Sequence, residues 1–515
     1  MWPKIILNGL ISNKFLIRRL IIVRLQKIAL GLCLVGYCSV SLAATSSNAA
    51  SGQQLDAIDH KIDQMEQKID HLKGQVHHLK HKLKKRKQKQ KNQLKKQQRK
   101  DHQQDKNTQT LSKIFSSVSL GEYTGVPNYF DGRKLVVNAP SILEDYKLLE
   151  RRQQQVKYYQ KNDLGYAGHP RMIFSGEIEG AAQYRHDYTN NTDSDINLST
   201  AAIDTYIEVN PWISGLIDIS YDDADSQTTS NRVENANLFL DRAFLTVGNL
   251  NKTAFFSSIG QLDIPFGRYS SSMISSPLTE FVGKIKTRAI TLGYRTGEEN
   301  SPYANAFVYH GAANNSSNIN DAGADVGYLM QINGVKADLG GSFVNNIADA
   351  KGFQGTGLSS PRFRGFDHDE SLDHVVPGAD VYGRLSFDKL TFLGEYVKAL
   401  RHFASSNLSF DGHGAQPSAW QAEATYGFHV GQHPSSISVA YQGSQEALGI
   451  NIPRARYSTV LQIALMRHTL LKMEFRHDLN YSSSKTAQGQ GVQAYDPDHL
   501  GHSANAVTAE LAMYF

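Results

Sequence analysis

From residue 171 onward the chain repeats one unit. About ten residues alternate apolar and polar, a connection follows, and the connections are short and long by turns. Short links fall at 210–211, 249–252, 297–302, 333–334, 388–389, 431–434 and 467–468. Long polar loops fall at 186–195, 224–235, 265–285, 313–324, 346–378, 401–416, 445–455 and 481–503. Alternation with period two is the mark of a strand whose two faces meet different surroundings. A soluble all-β domain has no reason to alternate its connections. An outer-membrane barrel does, with tight turns on its periplasmic side and long loops outside. The expected fold is therefore an all-β transmembrane barrel of about sixteen antiparallel strands, running from 172–185 to 504–515.

Individual strands show the division. Phe174, Gly176, Ile178, Gly180, Ala182 and Tyr184 make one face of the first, while Ser175, Glu177, Glu179, Gln183 and Arg185 make the other. Trp420, Ala422, Ala424, Tyr426 and Phe428 oppose Gln421, Glu423 and Thr425. Leu471, Met473 and Phe475 oppose Lys472, Glu474 and Arg476. The stretch 236–248 reads in either register. The last strand carries Val507, Ala509, Leu511, Met513 and Phe515 on one side and Thr508, Glu510, Ala512 and Tyr514 on the other. Phe515 is expected to complete a lipid-facing strand that closes against the first one. Asn333-Gly334 is the preferred dipeptide for a two-residue hairpin.

The segments ahead of the barrel differ in kind. Residues 1–44 read as a signal peptide, with six basic residues and no acid before Ile28, an apolar run to Val40 and small residues at Ser41–Ala44. Both cysteines, Cys33 and Cys38, lie within it, so the mature chain has no thiol for a disulfide, a metal or a nucleophile. Residues 45–113 hold a coiled coil and a spacer. Leu55, Ile58, Ile62, Met65, Ile69, Leu72, Val76, Leu79 and Leu83 are spaced three and four apart without a break, a heptad seam that implies a homo-oligomer, dimer or trimer, through 55–83. The Lys/Gln-rich run 84–110 is a solvated spacer or a contact for cell-wall polymer. Residues 114–170 form a linker with a helix expected over 141–159. Ser141 and Glu144 have the spacing of a capping box at its start. This helix is also a candidate plug for the barrel.

Charge must be read by segment. The whole chain is +5, with a pI near 8.8. Residues 114–515 nevertheless hold 31 Lys/Arg against 42 Asp/Glu, a net of −11. Nucleic acid is therefore not an expected partner. Arg185, Arg242, Arg288 and Arg476 are candidates for a basic patch on the lumen side, and structural pairing with acids is the alternative role for most of them. No GxSxG, HExxH or P-loop context points to an enzyme, and a channel needs no catalytic residue or cofactor.

Two loops carry the candidate site residues. In loop 265–285, Arg268, Glu280 and Lys284 are candidates for a constriction, because the third long loop of trimeric porins folds inward. In the longest loop, SPRFRGFDHDESLDH (360–374) brings Arg362 and Arg364, suited to grip carboxylates, close to Asp367, His368, Asp369, Asp373 and His374. The ligand-binding candidates are Arg362, Arg364, His368, Asp369 and His374. Carboxylate and imidazole suit iron, but the spacing defines no metal site.

LVVNAPSILEDYKLLERR (135–152), HPRMIFSGEIEG (169–180), AFLTVGNL (243–250) and GQLDIPFG (260–267) resemble the LbtU family of siderophore porins, outer-membrane proteins of intracellular gammaproteobacteria. The resemblance spans nearly the whole mature chain and rests on framework motifs. It implies a TonB-independent outer-membrane receptor or channel for a ferric siderophore or iron, in contact with outer-membrane lipid, with its N-terminal stalk in the periplasm. A general diffusion porin and a barrel anchor with a coiled-coil tether remain the alternatives.

Overall fold

The computed structural model describes residues 142–161, 170–222, 237–296, 300–313, 318–354, 363, 365–366, 372–466 and 468–515. The segments expected to be a signal peptide (1–44), a coiled coil (55–83) and a spacer (84–110) lie outside the described residues, as does Ser141.

The described chain is one helix followed by a closed antiparallel barrel of sixteen strands. Its first half is β1 (Arg171–His186), β2 (Thr192–Glu208), β3 (Ile213–Asp222), β4 (Asn237–Gly248), β5 (Phe255–Asp263), β6 (Lys286–Arg295), β7 (Ser301–Tyr309) and β8 (Asp321–Ile332). There follow β9 (Val335–Val344), β10 (Gly378–Phe387) and β11 (Leu390–Ala399). Two short strands in a loop, β12 (Leu408–Phe410) and β13 (His413–Gly414), precede β14 (Ser418–Val430), β15 (His433–Gln445), β16 (Ala455–Met466) and β17 (Thr469–Leu479). The loop strands β18 (Ala487–Gly489) and β19 (Val492–Gln493) come before β20 (Ser503–Tyr514). Barrel strands pair in chain order, and β20 closes on β1 with Glu177 opposite Tyr514.

The register sends apolar side chains outward. Phe174, Ile203, Leu245, Leu292, Val326, Val439 and Leu511 are among the exposed ones, on strands all round the wall. Aromatic rings mark both rims: Trp420, Tyr441 and Tyr457 stand in a row at the loop end, and Phe387 packs on Phe392 and Tyr426 on Phe428 at the turn end. An apolar belt between aromatic girdles on a closed barrel is the surface of a membrane-spanning one. The turn between β8 and β9 uses Asn333 at φ 52° and Gly334 at φ 88°, the left-handed pair that a two-residue hairpin requires.

At the seam, Phe515 continues the ladder, exchanging backbone hydrogen bonds of 2.8 and 3.0 Å with Gly176. Its ring lies where a Cβ on Gly176 would stand. Tyr514 points the other way and donates 2.7 Å to Glu179 inside the barrel.

Some expectations need correction. The first loop shrinks to 187–191, because β2 begins at Thr192 and Asp187 closes a tight turn by accepting from Thr189 and Asn191. Arg288 does not face the lumen. Ala289, Thr291 and Gly293 of β6 point inward, and Arg288 shares the outward face with Ile290 and Leu292. The helix, α1 (Glu144–Lys161), begins three residues late. Leu143 has φ 59° and its carbonyl accepts the first helical bond from Lys147. Glu144 makes an ion pair with Arg242 of the barrel wall, while Ser141, its expected capping partner, lies outside the described residues.

The loops also contain structure that the sequence did not announce. β13, β12, β18 and β19 form a four-stranded sheet. Phe353, Phe363, Phe366, Phe403, Leu408 and Phe410 pack in a core beside it, so the loop end of the barrel is a folded cap.

Candidate functional site

The lumen is the candidate site, and two elements occupy it. The first is loop 264–285. Ile264 and Phe266 are fully buried, and Gly267 turns the chain at φ 71°. A side chain at Gly267 or at Gly283 would overlap the Tyr269 ring packed between them. The loop then crosses to the opposite wall, where strand carboxylates accept its backbone amides. Glu395 of β11 accepts from Arg268 at 2.6 Å and Tyr269 at 2.8 Å. Glu423 of β14 accepts from Ser272 at 2.9 Å. Glu474 of β17 accepts from Ile274 and Ser275, and Gln442 of β15 accepts from Leu278 at 2.8 Å. Such charge-assisted bonds, shielded from water, are among the stronger polar contacts a protein makes. A short helix, α2 (Leu278–Gly283), ends the crossing.

The three constriction candidates lie on this inward loop, but none presents a bare charge. Arg268 donates to Asp325 at 2.9 Å and to the Tyr382 hydroxyl at 2.6 Å, and its guanidinium lies 4.1 Å from the Tyr382 ring centre. Glu280 is bracketed by Lys284 at 3.4 Å and Lys351 at 3.1 Å. Burial opposes ionisation of Glu280, but the two lysines outweigh it and hold the carboxyl below its ordinary range. The cleft left beside Arg268, lined by Asp338, Tyr382, Arg384 and Glu395, encloses about 50 Å³. That is room for a few waters and far too little for a drug-sized solute.

The second element is α1, which lies against β3–β6. Arg242 bridges Glu144 at 3.0 Å and Asp218 of β3, with all three side chains buried. Asp145 accepts from Ser258 at 2.7 Å and Thr291 at 3.3 Å, and Tyr146 packs on Phe256 at 5.7 Å. Two turns on, Arg152 donates to the carbonyls of Pro211 and Gly248, and Gln153 to Leu250, all at the turn end of the barrel. The helix thus runs from mid-lumen to the turn-side rim. A third wall segment holds Lys472 between Glu510 at 2.9 Å and Glu179 at 4.0 Å.

Of the proposed basic patch, Arg185, Arg242 and Arg476 do face inward, and each is paired: Arg185 with Asp193, Arg242 as above and Arg476 with Asp478. Of the ligand-binding candidates, Arg362, Arg364, His368 and Asp369 lie outside the described residues, as does Asp367. His374 is half-buried on the cap, and its Nε2 bonds the carbonyl of His402 at 2.9 Å. Sequence reasoning placed Glu423 and Glu474 on the lumen face without a role. Their parity was visible; the amides they hold, some 150 and 200 positions earlier in the chain, were not.

No family model matches the chain. A UPF0422 protein of Coxiella burnetii is 38% identical over 406 residues, covering 78% of this chain and 84% of that protein. A UPF0422 protein of Legionella pneumophila strain Lens is 33% identical over 411 residues, covering 78% and 76%. Among solved structures, the anion-selective porin from Comamonas acidovorans is similar with a TM-score of 0.42 at 11% identity, over 67% of this chain and 100% of that one. The outer-membrane channel DcaP of Acinetobacter baumannii is similar with a TM-score of 0.43 at 13% identity, over 68% and 99%. By its identity to the curated relatives over most of its length, this chain belongs to the UPF0422 family.

Proposed function

We propose that this protein is a gated outer-membrane channel that takes up iron, free or as a ferric siderophore complex, without TonB. The observation that carries the channel reading is how the lumen is filled. Loop 264–285 and the start of α1 are fastened to the wall chiefly by carboxylates and amides. Polar fastenings of this kind can exchange for water when an element moves, which a sealed apolar core cannot do without exposing grease. The iron reading is supported by the framework motifs at 135–152, 169–180, 243–250 and 260–267. Arg362 and Arg364, with His368, Asp369 and His374, are the proposed ligand contacts. Arg268, Glu280 and Lys284 belong to the gate, where they tie loop 264–285 down. Oligomerisation through 55–83 and a periplasmic stalk that reaches the cell wall through 84–110 are part of the same proposal.

The test is entry into liposomes carrying the purified protein. Labelled ferric siderophore, ferrous iron and a neutral sugar of siderophore size are compared. Preferential entry of either iron species supports the proposal, and equal entry of the sugar makes the protein a general porin. The filled lumen also favours a second reading, a barrel anchor for a periplasmic tether. Exclusion of all three solutes, by this chain and by a variant lacking α1, selects that reading.

A further inference from the structure

The outward face of β5–β7 carries a feature that the channel does not use. Ile259, Ile290 and Val308 stand side by side as cross-strand partners, within the apolar belt. The next row towards the loops holds Gln261, Arg288 and His310. Beside the isoleucine row runs a groove of about 500 Å³ with Ala243 and Gly260 in its floor. Gly260 has φ 145°, and a Cβ there would strike the backbone of Ala243, so the floor cannot be filled at that position.

Arg288 tops this groove, two residues from the loop end of β6. It is exposed, and it has no ion pair or hydrogen bond to a side chain among the described residues. The lysine above it differs: Lys286 is paired with Asp241. Gln261 is also occupied, donating to the carbonyls of Leu240 and Asp241 at 2.8 and 2.9 Å. An arginine at the membrane boundary without a protein anion needs one from its surroundings. Guanidinium binds phosphate with paired, charge-assisted hydrogen bonds. The loop end of a barrel of this kind faces the outer leaflet.

We propose that this groove is a binding site for a phosphorylated glycolipid of the outer leaflet. Arg288 holds the phosphate, His310 flanks it, and an acyl chain lies along Ile259, Ile290 and Val308. The assignment depends on the protein's place in the membrane and not on its cargo.

The full chain in detergent, stripped of lipid, is titrated with fluorescent bisphosphorylated lipid A and with the same lipid after phosphate removal. The expected result is at least tenfold tighter binding of the phosphorylated form. Arg288→Gln removes that preference, Arg288→Lys keeps most of it, and Ile259→Trp weakens both lipids by filling the groove. Each variant is first shown to retain the heat-sensitive gel mobility of a folded barrel. Equal affinity for the two lipids, or an Arg288→Gln variant that keeps the preference, overturns the proposal. So does full competition by millimolar inorganic phosphate, which would mark a free-anion site. A change of oligomeric state in Arg288→Gln would reassign the surface to contact between copies, and also overturns it.

Discussion

At the scale of the residue, side-chain parity was legible and pairing was not. Glu177, Gln421 and Lys472 were assigned to the lumen by alternation alone, and they face it. Arg288 was misplaced because an arginine in a strand suggests water, although its parity with Ile290 and Leu292 already put it on the outward face. The buried triplet of Arg242, Glu144 and Asp218 joins residues 24 and 98 positions apart, which no local pattern could pair. Replacing Arg242 by Gln leaves two buried carboxylates without their cation. The expected loss is about 3–5 kcal/mol, read as a lower midpoint of unfolding, with protease cleavage appearing within α1. At the seam, Gly176→Val puts a branched side chain 2.5 Å from the Ala202 carbonyl and against the Phe515 ring. Such overpacking costs about 1–3 kcal/mol, and the folded fraction on a cold gel should fall accordingly. Asp349, in the loop after β9, gives the pH dependence. Burial raises its pKa to about 6, the amides of Ala313 and Ala312 oppose that, and the charge of Asp321 adds to it. The folded state therefore keeps a proton that the unfolded chain releases near its ordinary carboxylate pKa of about 4. Stability contributed here is present below that value and is lost as pH rises through about 6. Asp349→Asn mimics the protonated form and can still accept from both amides. It should exceed the parent in stability by on the order of 2 kcal/mol at pH 7.5 and match it at pH 4, by thermal unfolding in detergent.

At the scale of the element, strands were the legible part. Period two, strand length and turn residues all pointed to the same sixteen segments, and agreement across levels is what makes such a reading dependable. The cap sheet was missed because strands of two and three residues carry no period. They exist by pairing across loops, Leu408 with Gly489 and Phe410 with Ala487. The inward loop was foreseen, but its fastening was not: the carboxylates come from β11, β14 and β17, and the loop answers them with backbone amides and with the hydroxyls of Ser271, Ser275 and Thr279. That division makes a prediction. Glu423→Gln with Glu474→Gln keeps shape and removes two charges from the clasp, so loop 264–285 should leave the wall more often. Single-channel recordings should then show more frequent openings. Removal of α1 should act further, raising the open conductance at least twofold, because the helix occupies the opposite side of the lumen.

At the scale of the molecule, the alternation of connections fixed the architecture before any strand was placed, since only a barrel with two unlike ends produces it. Lumen occlusion was less legible, because it depends on where a loop and a helix come to rest. The acid excess does survive as a property of the whole. Residues 114–515 are −11, and Asp325, Asp380, Glu395, Glu423, Glu474 and Glu510 all face inward from the wall. An open channel with such a lining should favour cations. A potassium chloride gradient should give a cation-selective reversal potential that shrinks as salt is raised and the field is screened. Anion selectivity would contradict this.

The seam between β1 and β20 bears on how the molecule comes into being. Tyr514 reaches Glu179 across 335 positions. Every other barrel pair can form between neighbours in the chain as they arrive, but this one must wait for all the rest. Until then the sheet has two open edges, each a template for a wrong partner. Assembly should therefore be slow and end in a single closing event, as contacts so distant in sequence delay folding. The grown barrel has no loose edge from which to unravel, so what is slow to close should be slower still to come apart.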